Sequence, residues 1–194
     1  MSRGDRPPLA TWRAIILHRE HPSVDALKRQ LELMHIRVST VWPQLDETDA
    51  DVVFFDADMG HDGQFPWPAG FAPMPMVALI GSEAPGRVEW ALAQGSNAHL
   101  LKPIGSTGAY SALLIAAHAY QLSRSQADDI KTLEDRLRQR PAVVHAVLKL
   151  MQQNRSDEAG AWKRLRKIAM DWGMTVEEAA EAICRDERRT RSGA

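Results

Sequence analysis

The chain has 194 residues, of which 44% are hydrophobic, and a formal net charge of −1. That length buries one ordinary core of about 100–150 residues with a small module left over, so two modules are expected. A single cysteine, Cys184, excludes an intramolecular disulfide and a multi-thiolate metal site and fits a reducing compartment, while no apolar run approaches the roughly 18 residues that span a bilayer.

In chain order, Met1–Trp12 carries Arg3, Asp5, Arg6 and two prolines and has no signal-peptide core, so a cytoplasmic protein is expected. Residues 2–8 and 189–194 have the composition of frayed tails. Ala14–Leu17 is a short apolar run. Val24–Met34 then places Val24, Leu27, Leu31 and Met34 at helical spacing, and Arg37–Trp42 returns to a β-rich stretch. Asp51–Phe55 and Met76–Ile80 are further strands, Arg87–Gln94 is a helix, and His99–Leu101 is a last strand ending at Lys102-Pro103. Runs apolar on both faces predict a parallel sheet covered by helices on each side.

Five such strands closing on Lys102-Pro103 resemble a response-regulator receiver domain, a flavodoxin-like α/β fold. The resemblance places Asp56 at the phosphoacceptor position, with Met59, Asp62 and Gly63 following the usual downstream pattern, and makes Lys102 its partner. Receivers also hold Mg²⁺ with an acidic pair after the first strand, because a hard cation wants carboxylate oxygens. Here those positions are His18 and Arg19, which supply positive charge instead, with Glu20 the nearest acid. The fourth strand ends Leu79-Ile80-Gly81, so the hydroxyl residue that normally follows the phosphoryl group is missing unless Ser82 substitutes. Without the metal, phosphoryl transfer loses its main charge neutraliser. The expectation is a pseudo-receiver whose Asp56 and Lys102 form a partly buried ion pair. Trp42-Pro43, together with this altered pocket, is similar to the aliphatic-amidase branch of the transcription antiterminators.

Gly60–Pro75 contains three glycines and four prolines with Phe65, Trp67 and Phe71 between them, and reads as a loop. Its rings either cap the sheet or dock a partner. Ala109–Gln139 has no Pro or Gly and predicts one long helix, in which Ile130, Leu133 and Leu137 take a/d-type spacing. These three are the expected seam of a coiled-coil homodimer; the alternative is a solvent-exposed linker helix. Pro141 predicts a kink or a restart, with Ala142–Gln153 as the next helix. Asn154, Ser156 and Asp157 are turn and cap residues before Ala159–Asp171, Gly173 ends that helix, and Thr175 with Glu178 makes a capping box for Val176–Cys184.

Ala161–Met170 reads Ala-Trp-Lys-Arg-Leu-Arg-Lys-Ile-Ala-Met, an apolar stripe of Ala161, Leu165, Ile168 and Ala169 beside four cations. From Arg140 onward eleven Lys and Arg stand against eight Asp and Glu, so the basic excess lies at this end of the chain. The order Ala, aromatic, Leu-Arg, Ala-Met resembles the ANTAR signature across about Arg140–Ile183. That resemblance implies a three-helix module that binds paired RNA hairpins in a nascent leader and suppresses the terminator, controlled by a ligand-sensing partner protein. RNA loops demand cations and a stacking surface, so Lys149, Lys163, Arg164, Arg166 and Lys167 are the candidate contacts, with Trp162 assigned to the core. Where the family has Lys-Gly, this chain has Val147-Leu148, and Lys149 is the candidate substitute.

The expected modules are a pseudo-receiver at 10–121, a coiled-coil linker at 122–139 and the RNA-binding module at 140–186. No catalytic residue, cofactor or metal site is expected: the seven histidines are scattered singly, with no nucleophile–base spacing and no glycine-rich phosphate loop. A helix-turn-helix DNA reader would need Val176–Cys184 in a groove, where Glu177, Glu178 and Glu181 repel phosphates. A phosphorylation-controlled regulator and a protein-interaction adaptor remain as alternatives.

Overall fold

The computed structural model describes residues 11–46 and 49–191, and for residues 139 and 186–191 the backbone alone. Of the expected frayed tails, 1–10 and 192–194 lie outside the described residues, while 189–191 continue a helix rather than fraying. The contacts divide the chain into two compact units, 1–124 and 125–194.

Five strands, β1 (Arg13–Leu17), β2 (Arg37–Val41), β3 (Val52–Asp56), β4 (Met76–Ile80) and β5 (Ala98–Leu101), build the first unit. They form one all-parallel sheet in the order β2-β1-β3-β4-β5. The central β3 and β4 are buried at every position, which is why their sequences are continuous apolar runs rather than alternations. On one face, Ile16, Phe54 and Leu79 pack against α1 (Pro22–Leu33) and the start of α3 (Ala109–Asn154). On the other, Ile15, Val53, Phe55 and Ala78 pack against α2 (Pro85–Ala93) and the 60–75 loop.

That loop replaces a helix between β3 and β4. Phe65 meets Phe55 edge-on at 5.4 Å and stacks on Trp67 at 5.5 Å, so these two rings cap the sheet, whereas Phe71 is exposed. The Trp90 ring of α2 occupies the space where a side chain at Gly60 would begin, and Arg87 Nη1 donates to the Gly60 carbonyl at 2.9 Å.

The second unit is the later part of α3 with α4 (Glu158–Trp172) and α5 (Val176–Arg191). Of the kink or restart expected at Pro141, the restart is absent, and α3 runs through the proline. One lost backbone hydrogen bond is offset by the good helix formers before it and by Val143, Ala146, Val147 and Leu150 packing just after it. The buried core of this unit is Ala146, Val147, Leu150, Ala161, Leu165, Ala169, Ala179 and Ala180. With alanine at five of these positions, the helix backbones approach closely.

Local signals agree with the sequence here. Asp157 caps α4 by accepting from Gly160 N at 2.9 Å, and Gly173 closes it in the left-handed region at φ 65°. Thr175 and Glu178 exchange the reciprocal bonds of a capping box at 2.8–3.2 Å.

Candidate functional site

β3 and β1 end side by side and deliver Asp56 and His18 to the carboxyl edge of the sheet, and Lys102 reaches them from just after β5. Asp56 and His18 are buried. Lys102 Nζ lies 2.8 Å from Asp56 Oδ1, 2.6 Å from Asp58 Oδ2 and 3.2 Å from His18 Nε2. An ammonium group has three protons to donate, and these three acceptors use them all. The expected Asp56–Lys102 pair is present, inside a larger cluster.

His18 Nδ1 donates to the Arg19 carbonyl at 2.7 Å, which leaves Nε2 as the acceptor that Lys102 needs. Burial, ahead of every other influence, holds the His18 pKa below its ordinary 6.5. That direction favours the neutral ring and runs against the expectation that His18 adds positive charge to the pocket, although Nε2 also lies 3.3 Å from Asp56 Oδ2, which draws the other way. The exposed Arg19 lines a cleft of about 550 Å³ together with His18, Glu20, Lys28 and Trp42, and its carbonyl accepts from His18 Nδ1.

Asp58 is the residue that sequence reasoning missed. Its carboxylate accepts from Gly81 N at 2.8 Å and Ser82 N at 2.9 Å as well as from Lys102. Burial pushes Asp58 up, but the Lys102, Ser82 and Gly81 hydrogen bonds together carry it below its ordinary 3.8. A side chain at Gly81 would begin 2.7 Å from Asp58 Oδ2, so glycine there makes room for the carboxylate. Ser82 joins through its amide, not its hydroxyl. The one available signal was an aspartate two residues beyond Asp56 with a glycine at the end of β4.

Mg²⁺, which a receiver fold implies, does not fit this donor set. The space between the two carboxylates is taken by an ammonium group, and the two residues after β1 carry an imidazole and a guanidinium in place of carboxylates. Among the described residues no group of three His, Cys, Asp or Glu side chains could hold a metal ion.

In the second unit, α4 buries Ala161, Leu165 and Ala169. Trp162, assigned to the core from sequence, is 39% exposed, and Met170 is 82% exposed. At about 100° per residue, Trp162, Arg166 and Met170 follow one another in a single outer row. The predicted cations do not share one face. Arg166 lies in this row, Lys163 and Lys167 point away from the core, and Arg164 lies on the opposite flank.

Lys149, half-buried, donates from Nζ to the Ile183 carbonyl at 3.1 Å and faces the same side as Arg164. Val147 is buried in the core of the unit while Leu148 is exposed. The departure from the family's Lys-Gly therefore removes a cation at 147 from a position facing the core, and places an apolar side chain on the outside at 148.

Residues 12–117 match the family described as AmiR, N-terminal, and residues 131–183 match the ANTAR domain. No curated protein matches the chain. Similar solved structures include the signal receiver domain of a modulated diguanylate cyclase from Desulfovibrio desulfuricans G20, 15% identical, covering 58% of this chain and 98% of that one with a TM-score of 0.44. A two-component response regulator from Clostridium difficile is 18% identical, over 49% and 86% of the two chains, with a TM-score of 0.39. The receiver domain of a response regulator from Bermanella marisrubri is 16% identical, over 55% and 94%, also at 0.39. With more than half of its length matched by the first family and a further segment by the second, the chain belongs to the AmiR N-terminal family and is a regulator that joins a receiver-like unit to an ANTAR domain.

Proposed function

We propose that this regulator binds hairpins in a nascent leader transcript and prevents termination, with the outer row of α4 as the RNA-contacting surface and the receiver-like unit as the docking site of a ligand-sensing protein. The observation that carries the reading is the division of the signature helix. Its alanines and leucine pack inward, while Trp162, Arg166 and Met170 are turned to solvent together. Exposing an aromatic ring and a thioether beside a guanidinium costs solvation unless something covers them, and a splayed RNA base over a phosphate path has the matching chemistry. Lys163 and Lys167 flank the row and extend its positive field.

The pocket supports control by a bound partner rather than by phosphorylation: Lys102 is paired with both Asp56 and Asp58, and its ammonium group stands where a metal ion would bridge their oxygens. The reading includes a homodimer through Ile130, Leu133 and Leu137.

Purified chain would be used to capture fragmented total RNA from the source cell, with Arg166 and Lys167 reversed to Glu as the control. Recovery of leader segments bearing adjacent hairpins beside a terminator, lost in the control, supports the reading; retention of nothing specific leaves the adaptor function. Labelling of Asp56 by acetyl phosphate with Mg²⁺ would instead establish a phosphorylation-controlled regulator.

A further inference from the structure

On the flank of α4 opposite the Trp162–Arg166–Met170 row, the end of α3, α4 and α5 enclose an open groove of about 880 Å³. Three cations, Lys149, Arg164 and Arg185, stand around it, with Trp172, Ile183 and the amide of Asn154 between them. We infer that this groove is a second RNA subsite, which takes one unstacked nucleotide with its base against Trp172 and its flanking phosphates on Lys149, Arg164 and Arg185. The inference rests on the RNA-binding reading above and adds a site to it.

Charge complementarity points to an anion. Among the described residues no Asp or Glu side chain lines the groove, and Arg185 donates to Glu181, one turn earlier on α5, at 2.8 Å. Arg164 makes no ion pair among the described residues, and Lys149 uses one of its three ammonium protons on the Ile183 carbonyl, which anchors the group in the wall while leaving two donors. Those features alone would suit any polyanion. Trp172 narrows the class: 53% exposed at the end of α4, it lines the groove together with Ile168 and the three cations. A flat ring among cations fits a nucleotide, whose base stacks while its phosphates pair, better than an acidic peptide, whose carboxylates leave the ring bare. Asn154 adds an amide to the lining; its Nδ2 donates to the Leu150 carbonyl at 2.9 Å, which leaves its oxygen as the group to accept from a base edge.

Arg164 and Arg166 are only two residues apart, yet point about 160° from one another around the helix. A loop that met both flanks would straddle α4, with one base on the outer row and another in the groove.

The test uses the full chain and a stem–loop RNA library with a constant stem and a randomised loop. Arg164→Gln and Trp172→Ala probe the groove, Trp172→Phe retains a stacking face, and Arg166→Glu probes the outer row. Loss of one stacked base lowers affinity about tenfold or more, and loss of one phosphate contact lowers the log–log salt slope by about 0.7. We expect the first effect in Trp172→Ala with rescue in Trp172→Phe, the second in the exposed Arg164→Gln, and an ultraviolet crosslink from a loop base to Trp172. Binding unchanged in Arg164→Gln and Trp172→Ala but lost in Arg166→Glu would overturn the groove and leave the RNA reading standing. A wild-type chain that retains no library member would overturn both.

Discussion

Lys102 holds three partners that would otherwise be left in conflict. Asp56 is 1% exposed, and the removal of one member of a buried ionic cluster leaves an uncompensated charge that costs about 3–5 kcal/mol. Lys102→Met should therefore destabilise the first unit by roughly that amount in urea unfolding. The cluster also sets the response to acid. His18 is depressed below 6.5 and Asp58 below 3.8, so in both cases the unfolded chain takes up a proton before the folded one does. Stability is complete above 6.5, falls as the pH drops toward the folded value of His18, and falls again below 3.8 as Asp58 approaches its own. Urea midpoints measured across that range should show the two windows, and His18→Gln should flatten the upper one; an undiminished upper decline in His18→Gln would assign the proton uptake elsewhere. The pairing of Asp56 with Lys102 was legible through the receiver resemblance, which places both at the ends of apolar strands. Asp58 was not, since hydrogen bonding to the Gly81 and Ser82 amides depends on a fold in which two loops meet.

Element by element, apolar periodicity located every strand, with α1 and α2 each beginning a residue or two before the expected start, at Pro22 and Pro85. Proline is well placed there, since its missing N–H would have no intrahelical partner. The same residue type misled at Pro141, where local chemistry argued for a restart and helix-forming neighbours with a packed continuation overrode it. Pro141→Ala restores a backbone donor to the middle of α3, so it should raise the thermal stability of the helix by up to about 3 kcal/mol, read by circular dichroism. Gly173 is the opposite case. Its φ of 65° is one that a side chain resists, and Gly173→Ala should cost about 1 kcal/mol without altering the surface of α4. Trp162 was misplaced because it stands at the margin of the apolar stripe, where spacing alone does not separate a buried edge from an exposed one.

At the scale of the molecule, the second unit leaves a line of large apolar side chains uncovered by its own fold. Ile130, Leu133 and Leu137 are 57%, 57% and 52% exposed, and Val144 and Leu148 continue the line at 58% and 50%. A second copy of the chain along this seam would bury them, each at about 25 cal/mol per Å². Changing Ile130, Leu133 and Leu137 together to Asn should convert a dimer to a monomer in sedimentation equilibrium, with little change in helix content; an unchanged mass would show that the seam does not hold the copies together. The interior of the same unit is built on the other principle. Ala146, Ala161, Ala169, Ala179 and Ala180 keep three helices within a methyl group's reach, and one added methylene has nowhere to go without spreading them. The alanines and Leu165 of the signature thus record interhelical spacing, whereas its Trp162, Arg166 and Met170 face solvent, and Arg164 and Trp172 stand outside it altogether. Sequence drift can exchange Arg164 and Trp172 while the signature persists, so on the proposed RNA-binding function two chains with the same signature are free to answer to different transcripts.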